Sequence, residues 1–413
     1  MKAGWEVKRL GDICRLELGS TPQRKNPLFW DSDRATTNVW LSIADMTAIK
    51  GKCIGDSKEY VSDLATGKMK LVPEGTLVLS FKLSLGRVAI TSRDLRTNEA
   101  IVAIHDLDAR QINREYLFWY FSFYDWDAAA ANDEKLKGKT LNKAKLKVQP
   151  VIIPPFEEQK RIVAVLDAAF EGLTRAKENA ETNLQNAREL FERRLASAFK
   201  KIEAEENTKP ITVAEIALPQ KGSIRTGPFG SQLLHSEFTQ EGIAVLGIDN
   251  AVKNEFRWGK SRFISPEKYE ALKRYTVKPG DVIITIMGTC GRCAVVPDDI
   301  PVAINTKHLC CISLDHAKCI PEYLHAYFLH SEASLTYLNA NASGSVMDGL
   351  NMGLIKELPV FLPDIATQRT VAALFQEARE KTLSLEGIYQ AKLQDIADLR
   401  QSLLQKAFAG ELT

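Results

Sequence analysis

One pattern of residues occurs twice in this chain, at an offset of 205 to 209 residues. Residues 79–90 return as residues 284–295, so that Gly86 and Arg87 correspond to Gly291 and Arg292. Residues 195–199 correspond in the same way to residues 404–408. Solenoid repeats are only about 20 to 50 residues long. A period of this length therefore indicates a duplicated domain, and the chain must fold as two related halves.

Each half begins with a β-rich module, continues through a proline break and ends in a long helix. Residues 76–80 and 281–286 are Val/Ile/Leu-rich runs bounded by Gly and Pro, which predicts strands. Residues 114–124 and 322–329 are amphipathic and predict short helices.

The two long helical segments carry the heptad pattern of a coiled coil. From Ile162 and from Val371 the apolar positions recur in alternating steps of three and four residues. About forty helical residues extend for roughly 60 Å, and a narrow apolar stripe of that length needs an equally long partner. The other copy is the simplest partner. The period leaves the direction open: antiparallel helices would place the modules at opposite ends, and parallel helices would place them side by side.

Composition excludes several classes of protein. The 413 residues are 45% hydrophobic with a net charge of +2, which suits two or three folded domains. We expect no membrane association, because there is no transmembrane-length apolar run and no apolar leader. Seven cysteines, an odd number, favour reduced thiols in the cytoplasm. Basic residues cluster at 135–147 and 253–278, which suits a polyanion, although a solvated surface is the more ordinary interpretation of either cluster alone.

Motifs for catalysis are incomplete. Gly138-Lys139-Thr140 resembles the end of a phosphate loop but has Asp133 where the first glycine belongs. Pro154-Pro155-Phe156 resembles part of an aminomethyltransferase motif but follows Ile153 rather than Asn or Asp. We therefore expect no catalytic residues in this chain.

The cysteines of the second half raise the question of a zinc site. Cys290 and Cys293 are followed by Cys310, Cys311 and Cys319. The corresponding residues of the first half include Leu85, Val88 and Val102. Buried thiols in apolar positions are thus favoured over metal ligands, and we expect no metal.

Three sequence signatures resemble the specificity subunit of type I restriction–modification systems. They are residues 154–163 at the first helix start, residues 403–412 near the C-terminus, and the module segments 19–22 and 222–231. The resemblance covers essentially the whole chain. Residues 364–368 depart from it, because they lack the double proline and paired glutamates of the first copy.

The resemblance implies an α+β fold with a pseudo-twofold internal repeat. Two target recognition domains, residues 1–153 and 209–362, would alternate with two spacer helices, residues 154–208 and 363–413. The helices would pair as an antiparallel coiled coil. Each domain would read one half of a bipartite DNA site, and the helix pair would fix the spacing.

The resemblance also implies partners. Two methylation subunits would supply adenine methylation, and restriction/translocase subunits would supply ATP-dependent translocation and cleavage. S-adenosylmethionine, ATP and Mg would then bind those subunits, and this chain would need no cofactor. Residues at the two helix starts and the C-terminus would contact the partner subunits: Phe156, Glu157, Gln159, Arg161, Gln368, Arg369 and Phe408.

Candidate DNA contacts are polar or basic residues in predicted loops, because such groups contact base edges and phosphates. Arg87 and Arg292 occupy equivalent positions, and each could clamp a phosphate or pair with a carboxylate inside its module. The candidates in the first half are Thr21, Arg24, Lys25, Lys82, Arg87, Lys137, Lys139 and Asn142. Those in the second half are Arg225, Thr226, Ser231, Thr289, Arg292, Lys307, Ser343, Ser345 and Asn351.

Two other functions are compatible with the sequence. The chain could be a coiled-coil scaffold whose β modules bind protein or glycan. It could also be a self-sufficient methyltransferase, although the motif for binding its cofactor is missing. Salt-dependent DNA binding would distinguish recognition from scaffolding.

Overall fold

The computed structural model describes residues 2–49, 51–131, 134–135, 138–205, 209–341 and 350–412. Two compact units divide the chain: Met1–Ala180 with Lys392–Thr413, and Glu181–Ala391. Each unit contains one β-rich module and a stretch of each long helix. The first module comprises residues 2–153 and the second comprises residues 209–361.

The first module is built on a five-stranded sheet that is mostly antiparallel. In spatial order its strands are Arg15–Leu18, Ile101–His105, Leu77–Ser80, Val88–Thr91 and Cys53–Ile54. A three-stranded sheet comprises Glu59–Tyr60, Val39–Leu41 and Arg96–Thr97. Two strand pairs complete the set: Glu6–Arg9 with Pro150–Ile153, and Glu134–Lys135 with Gly138–Lys139. The short helices are Leu10–Ile13, Ile43–Ala48, Asp63–Thr66, Arg114–Phe123, Trp126–Ala129 and Lys143–Lys147.

The second module repeats the central sheet with four strands. In spatial order these are Ile224–Thr226, Leu309–Ile312, Val282–Thr285 and Cys293–Val295. Its other sheet comprises Phe263–Ile264, Ile243–Leu246, Ala303–Asn305 and Thr276–Val277, and Pro210–Thr212 pairs with Pro359–Phe361. The short helices are Val213–Ile216, Pro266–Leu272, Pro321–His330, Glu332–Asn341 and Met352–Glu357.

The predicted local elements are present. The strands expected at 76–80 and 281–286 are Leu77–Ser80 and Val282–Thr285, and all eight of their residues are buried. The helices expected at 114–124 and 322–329 are Arg114–Phe123 and Pro321–His330. The structure thus mixes helices with largely antiparallel sheets, which confirms the predicted α+β class.

The two long helices are Phe156–Glu203 and Ile365–Ala409. In the first unit, the Arg400 guanidinium lies 4.8 Å from the Phe170 ring centroid. In the second unit the Phe191 and Phe375 ring centroids are 6.0 Å apart. Arg188 Nε, one turn earlier on the first helix, donates over 2.6 Å to Glu386 Oε1, which lies later on the second. The two segments in the second unit therefore run in opposite directions.

Both module cores include the end of one long helix. In the first unit, Phe408 is buried between Tyr116 and Tyr120, at ring-centroid distances of 5.7 and 5.4 Å. In the second unit, Phe199 packs on Tyr323 and Tyr327 at 5.9 and 5.4 Å. The same aromatic arrangement therefore anchors a helix end in each unit, as the alignment of residues 195–199 with 404–408 suggests.

Most of the second-half cysteines fill apolar positions. Cys293, Cys310, Cys311 and Cys319 are fully buried, as predicted. Burial raises the pKa of the Cys310 and Cys319 thiols to about 12. Within the described ranges, no group of three or more His, Cys, Asp or Glu side chains could hold a metal ion.

Among the described residues, no helix combines the length and the apolar character that crossing a membrane requires.

Candidate nucleic-acid interface

One end of each central sheet gathers most of the predicted DNA contacts. In the first module, Leu18 pairs with Val102, Ser80 with Ile101 and Leu79 with Val88. The loops that leave or enter these strands therefore meet at one end of the sheet. The second module has the same arrangement, since Thr226 pairs with Cys310 and Thr285 with Leu309. We call these places the turn ends of the two modules.

The tight turns at the two turn ends share one hydrogen-bond pattern. In the first, Arg87 N–H donates to Ser80 Oγ over 2.8 Å, and Gly86 N–H donates to the Ser80 carbonyl over 3.0 Å. In the second, Arg292 N–H donates to Thr285 Oγ1 over 2.9 Å, and Gly291 N–H donates to the Thr285 carbonyl over 2.9 Å. One buried hydroxyl thus fixes each turn.

The fixed turns present their arginines outward. The Arg87 and Arg292 side chains are exposed, and neither forms an ion pair with any residue that the structure describes. The alternative that these arginines pair with a carboxylate inside their module has no support in this part of the chain. An exposed arginine on a rigid turn is well suited to a phosphate.

A second loop crosses each turn end directly after the first strand of the sheet. Ser20 N–H donates to the Thr97 carbonyl over 2.8 Å. A Cβ on Gly19 would lie 2.1 Å from that same oxygen, and one on Gly227 would lie 2.0 Å from the Asn305 carbonyl oxygen. Only glycine allows the chain to pass this closely. Thr21 and Ser231 belong to the stretches of chain that follow these glycines.

The two turn ends differ in charge at one corresponding place. Thr21 Oγ1 donates to Glu99, two residues after Thr97. Lys307 stands two residues after Asn305, at the equivalent place in the second module. Burial and the neighbouring cations Lys307 and Arg262 lower the pKa of His308. The two turn ends therefore differ at this place, with an acidic residue in the first module and a basic residue in the second.

Several of the predicted DNA-contact residues also form contacts within their own module. Arg24 donates two hydrogen bonds to Glu59, and its guanidinium lies 4.2 Å from the Trp30 ring centroid. Asn142 Oδ1 accepts from Lys145 N–H over 2.8 Å, and Asn351 Oδ1 accepts from Leu354 N–H over 3.1 Å. These asparagines cap the helices Lys143–Lys147 and Met352–Glu357.

The remaining candidates are placed as follows. Lys25 and Thr289 are exposed, whereas Lys82 and Thr226 are half-buried. Lys82 Nζ lies 5.2 Å from the Phe81 ring centroid. Lys137, Ser343, Ser345 and the side chain of Lys139 lie outside the described residues.

Arg225 must be reassigned. Its guanidinium is buried and donates to Asp281 Oδ2 over 2.7 Å, to the Thr276 carbonyl over 2.6 Å and to Ser313 Oγ over 3.0 Å. The hydrogen bonds of this guanidinium are therefore made inside the module. Arg225 is a core residue of the second module rather than a candidate for base contact.

Three of the residues predicted to contact partner subunits are buried inside this chain. Gln159 and Gln368 are fully buried and bond to backbone groups, and Phe408 lies in the aromatic cluster described above. Arg161, Arg369 and Glu157 are exposed, and Phe156 is half-buried with Lys160 Nζ 4.7 Å from its ring centroid. Partner contacts at the helix starts can therefore use only the exposed residues.

Sequence reasoning missed Leu83, an exposed side chain within the 82–87 turn. The alignment of the two halves pairs Leu83 with Gly288, and a leucine opposite a glycine in a turn was the available signal.

The model for the type I restriction modification DNA specificity domain matches residues 2–184 and 235–394. The chain belongs to this family. The EcoBI specificity subunit of Escherichia coli, a curated relative, is 27% identical over 301 residues, which are 69% of this chain and 63% of that protein. The matched region is thus somewhat under two thirds of the relative's length.

Solved structures share the fold. A chain from a study of complex assembly and conformational transition of the type I R-M system matches with a TM-score of 0.76, at 19% identity, over 100% of this chain and 99% of that one. The HsdS subunit from Thermoanaerobacter tengcongensis matches with a TM-score of 0.57, at 17% identity, over 100% and 98%. Both likenesses concern the fold alone.

Proposed function

We propose that this chain is the sequence-specific DNA-recognition subunit of a type I restriction–modification complex. The observation that most supports this proposal is the duplicated turn end. The central sheet of each module presents an exposed arginine on a rigid turn. One such surface would bind a single site. Two related but differently charged surfaces suit a site with two unlike halves.

Each turn end would contact one half-site. Arg87 and Arg292 would bind phosphates and set the register of the module, because phosphate contacts position a protein without reading sequence. The first-strand loops, which carry Thr21, Arg24 and Lys25 in one module and Ser231 in the other, would read base edges. The side chains of Lys137, Lys139, Ser343 and Ser345 lie outside the described residues and remain predicted DNA contacts.

The two long helices would set the distance between half-sites. Their 48 and 45 residues correspond to rods of about 70 Å at 1.5 Å per residue. We propose that they pair antiparallel along their length as a coiled coil, with the recognition domains 1–153 and 209–362 at opposite ends. A stiff helix pair would hold one spacing, whereas a flexible linker would tolerate several.

We further propose that the chain is non-catalytic and binds two methylation subunits and, in the full complex, restriction/translocase subunits. Exposed residues near the helix starts, including Arg161 and Arg369, would contribute to docking. S-adenosylmethionine, ATP and Mg would belong to those partner subunits. A scaffold that binds protein or glycan is not favoured, because the matching family is a DNA specificity domain.

Methylation profiling of cells with and without this chain tests the proposal. A split adenine-methylated motif should appear only when the chain is present. The purified chain with its methylation subunits should then bind a duplex that carries this motif, and affinity should fall as salt rises. Equal binding when the spacer changes by one base pair would contradict the helix-pair proposal, and absence of DNA binding would contradict recognition.

A further inference from the structure

Leu83 is an apolar side chain in a conformation that favours glycine. The residue is 54% exposed, so burial does not explain its presence. Its backbone is left-handed, with φ of +64°. Residues with a bulky side chain rarely adopt this conformation, which glycine adopts freely.

The second module has the expected glycine at this place. Gly288 is left-handed with φ of +75°. Both turns are held by the equivalent hydroxyl groups of Ser80 and Thr285, each of which donates to a carbonyl inside the turn and accepts from the arginine N–H. The turn therefore forms without a leucine, so the geometry of the turn does not account for Leu83.

The surroundings of Leu83 are cationic. Lys82 precedes it and the exposed Arg87 follows within the same turn, and neither forms an ion pair in the described part of the chain. Lys82 also forms a β-bridge with Thr140, which directly follows the strand pair Glu134–Lys135 and Gly138–Lys139. An exposed apolar side chain in a turn that also carries two cations suits a duplex, in which stacked bases lie between two rows of phosphates.

We propose that Leu83 is a wedge that enters a base-pair step of the first half-site. Lys82 and Arg87 would hold the flanking phosphates while the leucine side chain partly unstacks the step. Apolar wedges of this kind kink DNA and favour steps that deform easily. Leu83 would thus contribute to specificity at a step where no base edge is hydrogen-bonded. This inference rests on the proposed function and adds a residue to it.

Three variants separate the wedge from the fold of the turn. Leu83→Asn keeps a residue that tolerates the left-handed backbone but removes the apolar side chain. Leu83→Met keeps an apolar side chain. Leu64→Gln is the matched control, because Leu64 is 63% exposed on the helix Asp63–Thr66 of the same module.

The probe is the fluorescence of 2-aminopurine, an adenine analogue that brightens when it is unstacked. It is placed at successive steps of the methylated motif, away from the target adenines, in the complex of this chain with its methylation subunits. We expect one step of the first half-site to brighten several-fold with the wild-type chain, with Leu83→Met and with Leu64→Gln. That signal should be lost with Leu83→Asn, and the second half-site should be unchanged.

Each result is decisive for the wedge. Equal brightening with Leu83→Asn overturns it, and so does binding by the wild-type complex without brightening at any step. If Leu83→Asn instead loses co-purification with the methylation subunits, the leucine contacts protein and the wedge is wrong. Binding measured on the same samples keeps the two proposals apart, because a wild-type complex that does not bind DNA contradicts the function itself.

Discussion

Gln159 and Gln368, which are 209 positions apart, make the same three hydrogen bonds. Gln159 Oε1 accepts from Asn113 N–H over 2.8 Å, and its Nε2 donates to the Gln111 and Pro154 carbonyls, both over 2.8 Å. Gln368 Oε1 accepts from Ile320 N–H over 3.0 Å. Its Nε2 donates to the carbonyls of Lys318 and Pro363 over 2.8 and 2.9 Å. Each glutamine ties the start of a long helix to the loop before a short helix of its module.

Replacing either glutamine should destabilise the unit that contains it. Gln159→Leu leaves buried backbone groups without partners, and we expect the free energy of unfolding to fall by about 2–4 kcal/mol. Gln368→Leu should have an effect of similar size. Denaturant unfolding followed by circular dichroism measures both. Gln185→Ala is the control, because within the described part of the chain this exposed glutamine bonds only to Glu189 on its own helix, and its removal should change stability by no more than about 0.5 kcal/mol.

Asp281→Ala should be more severe than either glutamine variant. Asp281 is 2% exposed and accepts from Arg225, from Ser313 Oγ over 2.6 Å and from the Cys311 thiol over 3.1 Å. Its loss leaves the Arg225 charge buried and unpaired, which typically costs about 3–5 kcal/mol.

The same unfolding measurement checks this prediction. Glu377→Ala, which removes only an exposed ion pair with Lys381, should be nearly neutral. A loss of stability at Asp281 no greater than that at Glu377 would contradict the structural role given to Arg225.

Removing a turn arginine should weaken DNA binding without changing the sequence preference. For Arg87→Ala and for Arg292→Ala we expect the slope of log K against log salt to decrease by about 1, because one phosphate contact is lost. Affinity should fall about equally for specific and random duplexes. Titrations at several salt concentrations measure both quantities.

Arg110→Ala is the matched control for the turn arginines. Arg110 is exposed and follows the strand Ile101–His105, at the end of the sheet opposite to the turn. Its removal should leave the salt slope unchanged. An equal decrease for all three variants would indicate general electrostatic attraction rather than a clamp at each turn end.

His325 should make stability depend on pH. Burial lowers its pKa to about 4, and nearby Arg379 and His330 act in the same direction. Its Nε2 lies 3.1 Å from the Asn254 carbonyl oxygen and 3.0 Å from that of Cys293, so this nitrogen carries the proton of a neutral ring. As pH falls below about 6.5, His325 binds a proton in the unfolded chain but stays neutral in the folded chain.

The stabilising effect of the neutral ring is therefore complete above pH 6.5 and is lost as pH falls to about 4. The loss should be on the order of 3 kcal/mol. His325→Phe introduces the residue type of Phe118, its counterpart in the first module, and should remove this part of the pH dependence. Unfolding free energies of both proteins between pH 4 and about 7 test the prediction; parallel curves would contradict it.

Local features of the fold could be predicted because they depend on neighbours in sequence. Val/Ile/Leu-rich runs bounded by Gly and Pro identified the buried strands Leu77–Ser80 and Val282–Thr285, and the helix Arg114–Phe123 was predicted to within one residue. The repeat also identified Cys310 and Cys311 as occupants of apolar positions. In each case the pattern itself reflects the physical cause, which is the burial of apolar residues of a local element.

The roles of single polar residues could not be predicted in the same way. Gln159 was expected on a partner surface and Arg225 on DNA, yet both are buried and hydrogen-bonded inside their units. A glutamine or an arginine has the same donors in a core as on a surface. Only the residues that surround it decide which groups those donors meet, and Asp281 lies 56 positions away from Arg225.

The sequence by itself determined that this protein has two related halves, each with a β-rich module followed by a long helix. Duplication and periodicity are properties of the order of residues and need no knowledge of contacts between distant segments. The tertiary structure decided which of the polar and basic residues remain exposed at the turn ends. That selection depends on strand pairing between distant segments, which leaves Arg87 exposed and buries Arg225 against Asp281.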